Sequence, residues 1–151
     1  MGPLVSVAWP TIRARLATAL PAVLGATVTV YDGPVVTGDA PLAFVTVAHQ
    51  PSTVDVAAGD YSQTQTGPGG FVSEESGTVL LEVAAVTGDS TVPTAFVMAD
   101  AIHSWVQADQ TLGVMSVGST SSLAVEVLQA QNTAGAVQRL LLTLSYATRN
   151  V

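Results

Sequence analysis

The sequence predicts an α+β domain, a largely antiparallel β-sheet with two helices packed on it and a long β-hairpin arm. Three observations lead there. Stretches of β-branched or alternating character outnumber stretches with helical spacing. The turn chemistry between them favours hairpin connections. A chain of 151 residues without an internal repeat or a break in composition forms a single domain spanning 1–151, long enough to bury a sizeable core.

Residues 1–9 read as a flexible N-terminal arm. Pro10 suits the first turn of a helix, where its missing N–H costs nothing. Ile12, Leu16, Ala19 and Val23 then recur at helical spacing, and Pro21 is expected to end or bend the helix near Leu20. Residues 27–31 alternate like a strand and close on the turn Asp32-Gly33-Pro34. Residues 42–48 are apolar enough for a strand buried on both faces. Val54-Asp55-Val56 and the polar run from Tyr61 to Gln65 extend into an arm over 50–75, which turns at Gly67-Pro68-Gly69-Gly70. The chain returns through Phe71 into a strand centred on 78–83.

Pro93 stands where the first turn of a second helix would begin. Its inner stripe is Phe96, Ala99, Ile102 or His103, and Val106, and it ends at 109–113. The last third is a hairpin, 123–129 and 137–149, turning near 132–135. Leu140, Leu142, Leu144 and Tyr146 share one face of the final strand; Arg139, Thr143, Ser145 and Arg149 take the other.

Composition bears on function. Apolar residues make up 48% of the chain and charged residues 10%, against about 25% charged in an ordinary soluble domain. Lysine is absent, and eleven acids against four arginines leave a net charge of −7. So thin a coat of charge predicts a surface of Thr, Ser, Gln and Gly, or one partly covered by neighbouring subunits. No run approaches the roughly 18 apolar residues of a membrane span, and no secretory leader is expected. Only Arg13 and Arg15 lie close together, with no aromatic residue between them, so a direct grip on DNA is not expected. With no cysteine there is neither disulfide nor thiolate metal site.

Catalytic motifs fail one by one. Gly67-Pro68-Gly69-Gly70 lacks the Lys-Ser/Thr of a phosphate loop, and 113–118 has the wrong spacing for a nucleophile elbow. Asp100 and His103 share a helical face, but Ser104 points elsewhere. The acids are scattered, and Glu74-Glu75, the one adjacent pair, would point to opposite faces of a strand. Trp9 and Trp105 read as core or interface anchors. No cofactor, no metal and no enzymatic activity are expected.

The order of these features resembles the tail terminator proteins of long-tailed bacteriophages. The resemblance rests on Trp9-Pro10 with a short helix, the run 28–34, the strand 42–49, and the polar arm ending at Gly70. It continues through Glu74-Glu75-Ser76-Gly77-Thr78-Val79, the close on Thr87-Gly88-Asp89, the helix ending 108–113 and the long final hairpin. It spans nearly the whole chain. Where such sequences often carry basic residues before the paired glutamates, this one has Gly70-Phe71-Val72-Ser73.

The resemblance implies a homo-oligomeric ring, typically hexameric, that caps the tail tube, ends its polymerisation and joins the tail to head-completion or connector proteins. DNA would pass through the bore without specific binding, past a negative lumen that does not trap a polyanion. The protein would be assembled in the host cytoplasm and reside in the neck of the virion, away from membranes. In such a ring each subunit offers two different patches. The arm is expected to supply one of them through Asp60, Tyr61, Gln63, Gln65, Phe71, Glu74 and Glu75, with Tyr61 and Phe71 as anchors. Two alternatives stay open: another neck component or tail-tube subunit, and a small binding module or hydrolase.

Overall fold

The computed structural model describes residues 8–33, 42–48, 59–66, 72–86, 90–116, 118–132 and 135–150. Eight elements follow one another: α1 (Ala8–Leu24), β1 (Thr29–Asp32), β2 (Ala43–Val47), β3 (Gly59–Thr66), β4 (Val72–Val86), α2 (Ala95–Ala108), β5 (Thr120–Asn132) and β6 (Gly135–Asn150). The strands form one six-stranded sheet in the order β1-β2-β4-β6-β5, with β3 also paired to β4. The fold is therefore α+β with a mostly antiparallel sheet and two helices, as predicted. One pairing departs from the hairpin pattern. β1 runs parallel to β2, Thr29 opposite Phe44 and Asp32 opposite Val47. Gly33, at φ +89°, follows β1, its N–H donating to the Val47 carbonyl at 2.8 Å.

β4 organises the sheet. Its second half pairs with β2 and its first half with β3 on the same edge, while its other edge pairs with β6 over fourteen residue positions, from Ser73–Asn150 to Val86–Val137. Alternation sends Val79, Leu81, Val83 and Ala85 to one face, where they meet Val45 and Val47 of β2 and Leu140, Leu142 and Leu144 of β6 in one buried cluster. Both helices cover this face. Each fully buried Leu or Ile there contributes about 1.5–3 kcal/mol relative to exposure.

α1 buries Ala8, Ile12, Leu16 and Leu20, a strict four-residue stripe. Ala19 and Val23, expected inside, are only half-buried, because the larger Leu20 continues the stripe in their place. The helix also begins earlier than expected, with Ala8 and Trp9 inside it, and runs through Pro21 to Leu24. Proline costs little here because it lies in the last turn and is exposed, so its ring meets solvent rather than the core.

α2 is capped by Thr94, whose hydroxyl accepts the Val97 N–H at 3.2 Å, so Pro93 sits just outside the helix rather than in its first turn. Its buried stripe is Ala95, Met98, Ala99, Ile102 and Val106. Phe96, expected inside, is 51% exposed; one residue of rotation gives Ala95 and Met98 the inward positions. At the far end Asp109 Oδ1 accepts the Thr111 N–H at 3.0 Å and the Thr111 hydroxyl at 2.7 Å. Arg15 of α1 then donates to the Leu112 carbonyl at 3.1 Å and lies 5.9 Å from the Trp105 ring centroid, fastening the two helices together.

Candidate assembly surface at the polar end of the sheet

Residues 59–66 and 72–75 of the predicted arm are part of the sheet. β3 pairs with β4 from Gly59–Val79 to Thr66–Val72, and β4 keeps its β6 partner as far as Ser73–Asn150. The hairpin is therefore backed by a third strand almost to its end. The expected turn at 67–70, Phe71 and Val54-Asp55-Val56 lie outside the described residues, as do 1–7 of the expected N-terminal arm.

Strand alternation divides the predicted residues into two sets. Asp60 and Glu74 lie on the face away from the helices, in a polar field with Ser62, Thr64, Ser76 and Thr78. Asp60 Oδ1 accepts the Thr78 hydroxyl at 2.9 Å, and Glu74 pairs with Arg149 at 2.8 Å with both side chains exposed. Such a surface pair contributes little to stability. Tyr61 and Gln63 face the helix side, beside Gly77 and Glu75. Tyr61 is 44% exposed and remains available as an anchor. Gln65 takes its place in β3 opposite Ser73.

Glu75 corrects the expectation. It is 1% exposed and therefore lies inside the fold rather than on its surface. Its Oε2 accepts the Tyr146 hydroxyl at 2.6 Å and the Trp9 backbone N–H at 3.2 Å; its Oε1 accepts the Gln63 amide at 2.8 Å. Trp9 is the second residue of α1, so its N–H has no acceptor within the helix, and a carboxylate at that end also meets the positive pole of the helix dipole. One side chain of β4 thus joins α1, β3 and β6.

Two glycines make room for this junction. A Cβ on Gly77 would strike the Asp60 carbonyl and come 2.9 Å from the Tyr146 hydroxyl. A Cβ on Gly59 would strike the Thr78 carbonyl and come 2.8 Å from Trp9 Nε1, the group that donates to that carbonyl at 2.8 Å. Sequence reasoning marked Trp9 as an anchor but did not find Tyr146 or Thr78 as its neighbours. The one available signal was a tyrosine in line with Leu140, Leu142 and Leu144, whose hydroxyl requires a buried acceptor.

No protein-family model matches the chain, and no curated protein matches it.

An open groove of about 490 Å³ runs beside Glu74 and Arg149, walled by Ser62, Thr64, Ser76, Ser116, Ser119 and Thr120. The hydroxyls of Ser116, Ser119 and Thr148 are engaged structurally. Ser119 and Thr148 are 2.6 Å apart, and Ser116 donates to the Arg149 carbonyl at 3.0 Å, closing the loop before β5 against the end of β6. A nucleophilic serine needs a base within reach; here the neighbours are other hydroxyls and a carboxylate paired with arginine. His103 is half-buried and Asp100 exposed on α2, and His49 lies outside the described residues. Among the described residues no three His, Cys, Asp or Glu side chains are grouped to hold a metal, and no helix is long and apolar enough to cross a membrane.

The four arginines of the chain are all engaged internally. Arg13 holds Asp32 at 2.8 Å, Arg15 the Leu112 carbonyl, Arg149 Glu74 and Arg139 the 3%-exposed Glu82. With no lysine and each arginine paired within the chain, no Lys or Arg side chain is left uncommitted. Exposed instead are carboxylates (Asp60, Asp100, Asp109, Glu126), hydroxyls, and the apolar side chains of Tyr61, Phe96, Val97, Val125 and Val127.

Proposed function

We propose that this chain is a non-enzymatic structural subunit of a closed ring that caps a phage tail tube, ends its growth and joins it to head-completion proteins. The observation that carries the reading is the surface just described. Its cations are spent inside the subunit while aromatic and aliphatic side chains stand exposed, which suits a surface completed by neighbours better than one facing water. The resemblance of the sequence to tail terminators is what points this reading to the neck of a virion. A hexamer follows from the same resemblance, as do a tube protein on one side and a connector protein on the other. An acidic bore would pass DNA without holding it.

Negative-stain microscopy together with light scattering tests the reading. Closed rings that stop elongation when mixed with tube protein are expected. Open-ended polymers would make the chain a tube subunit, and a monomer with ligand-dependent melting would make it a binding module or hydrolase. Removing 61–70 would strip β3 from β4 and take Gln63 from Glu75, so a point change is the cleaner probe of the contact. Tyr61→Ala is expected to weaken the ring by about 2 kcal/mol, roughly thirtyfold in the dissociation constant, with unfolding little changed. An unaltered dissociation constant would remove Tyr61 from the contact.

A further inference from the structure

We propose that the outer edge of β5 takes the outer edge of β3 from a second copy of the chain, so that the sheet continues from subunit to subunit. This inference rests on the ring reading above and names both halves of its contact. Among the described residues β5 pairs only with β6, and β3 only with β4. Among the described residues no strand therefore lies along the other edge of either. Proteins usually protect such edges with lysine, proline or several charges. β5 has thirteen residues with one charge, Glu126, and no proline; β3 has eight with one charge, Asp60, and no proline. On the helix side of the β5 edge, Val125 and Val127 are 46% and 52% exposed. α2, which lies against β5, also leaves Phe96 and Val97 exposed, at 51% and 58%.

Three features point to a second copy as the occupant. The first is direction. From β3 through β4 and β6 to β5 the strands alternate, four in all, so β3 and β5 run in opposite senses. Two copies related by rotation about an axis along the strands would bring β5 of one beside β3 of the next as an antiparallel pair, and both copies would keep their helices on the same side of the sheet. The second is charge. At −7 per chain and with every arginine spent, two copies repel wherever charged surface meets charged surface. The nearly uncharged edges are where they can approach. The third is length. β1 also has an outer edge, but it offers only four residues where β3 offers eight.

The absence of cysteine allows a direct test. Ser62→Cys on β3 is combined in turn with Ser122→Cys, Ala124→Cys and Glu126→Cys on β5. All four sites are exposed and share the face away from the helices, so the fold should tolerate them. Within one subunit β3 and β5 are three strand spacings apart, about 14 Å, too far for a disulfide, which needs Cα atoms within about 7 Å. Oxidation of at least one double variant is expected to give a ladder of covalent multimers on a non-reducing gel, collapsed by reductant, while each single variant stays monomeric on the same gel.

Rings by light scattering with no ladder from any pair would overturn the inference and leave the ring reading standing. A dimer from a β5 single variant would replace it with a two-fold contact. A ladder obtained when Thr29→Cys of β1 replaces Ser62→Cys would assign the partner strand to β1 and overturn it too. If the unmodified chain is a monomer at every concentration, the ring reading itself fails and this contact with it. As an independent check, Val127→Asp is expected to convert rings to folded monomers, and rings that survive it count against the β5 edge.

Discussion

Glu75 illustrates how far a single residue can be read in two directions. From the sequence, both Glu74 and Glu75 belong to the contact patch of an arm; in the fold, alternation sends one outward to Arg149 and the other inward to Tyr146, Trp9 and Gln63. A buried carboxylate is tolerable only while its donors are in place, because desolvating an ion costs several kcal/mol that hydrogen bonds and the helix dipole must offset. Glu75→Ala is therefore expected to lower the stability of the fold by about 3 kcal/mol, since the Tyr146 hydroxyl and the Trp9 N–H lose this acceptor together. Glu75→Gln keeps the shape and one acceptor oxygen, and should cost about half as much. Urea unfolding of the two variants measures the difference. Equal, small losses would show that the junction is peripheral to stability. Strand geometry alone put the paired glutamates on opposite faces, but not that one of them would be internal. Which one it would be depended on Gly77 and Tyr146 lying opposite one another, a long-range fact that local pattern does not carry.

The elements themselves were more legible than their edges. The alternation of Leu140, Leu142, Leu144 and Tyr146 identified the buried face of β6 because the period of a strand leaves only two choices. A helix is less strict: around 95–106 nearly every residue is apolar, so neighbouring stripes compete, and Phe96 was placed inside when Ala95, Met98 and Ile102 occupy the core. The stripe is testable. Ile102→Ala should cost about 2–5 kcal/mol of unfolding free energy, and Phe96→Ser less than about 0.5 kcal/mol in the isolated subunit; a reversed order would rotate the helix. The end of α2 carries a pH signature as well. The Thr111 hydroxyl, then the Thr111 N–H, hold the Asp109 carboxyl below its ordinary value. A group whose value is lowered by folding stabilises the fold above its unfolded value, and loses that contribution as pH falls through the folded one. Asp109→Asn should thus be slightly less stable than the parent at neutral pH. The gap should close as pH drops below the usual carboxylate value of about 3.9. Urea midpoints across that range follow it, and a gap that widened in acid would contradict the assignment.

At the scale of the molecule, the scarcity of charge that marked the sequence has a specific form in the fold. Each arginine is bound to an acid or a carbonyl of its own subunit, so the unbalanced charge left for the surface is negative. This fixes how association must respond to salt under the ring reading. A contact built on ion pairs between subunits would weaken as salt rises, because screening removes the attraction. Here no arginine is left over to make such pairs, and like-charged copies repel at a distance while backbone and apolar groups join at contact. Going from about 0.1 M to about 1 M salt shortens the screening length from about 10 Å to about 3 Å, which suppresses the repulsion and leaves the contact groups largely untouched. The dissociation constant measured by sedimentation velocity is therefore expected to fall, or at least not rise, across that range. Dissociation at high salt would mean that subunits trade arginine partners on assembly, opening pairs such as the exposed Arg149–Glu74 to bind one another instead.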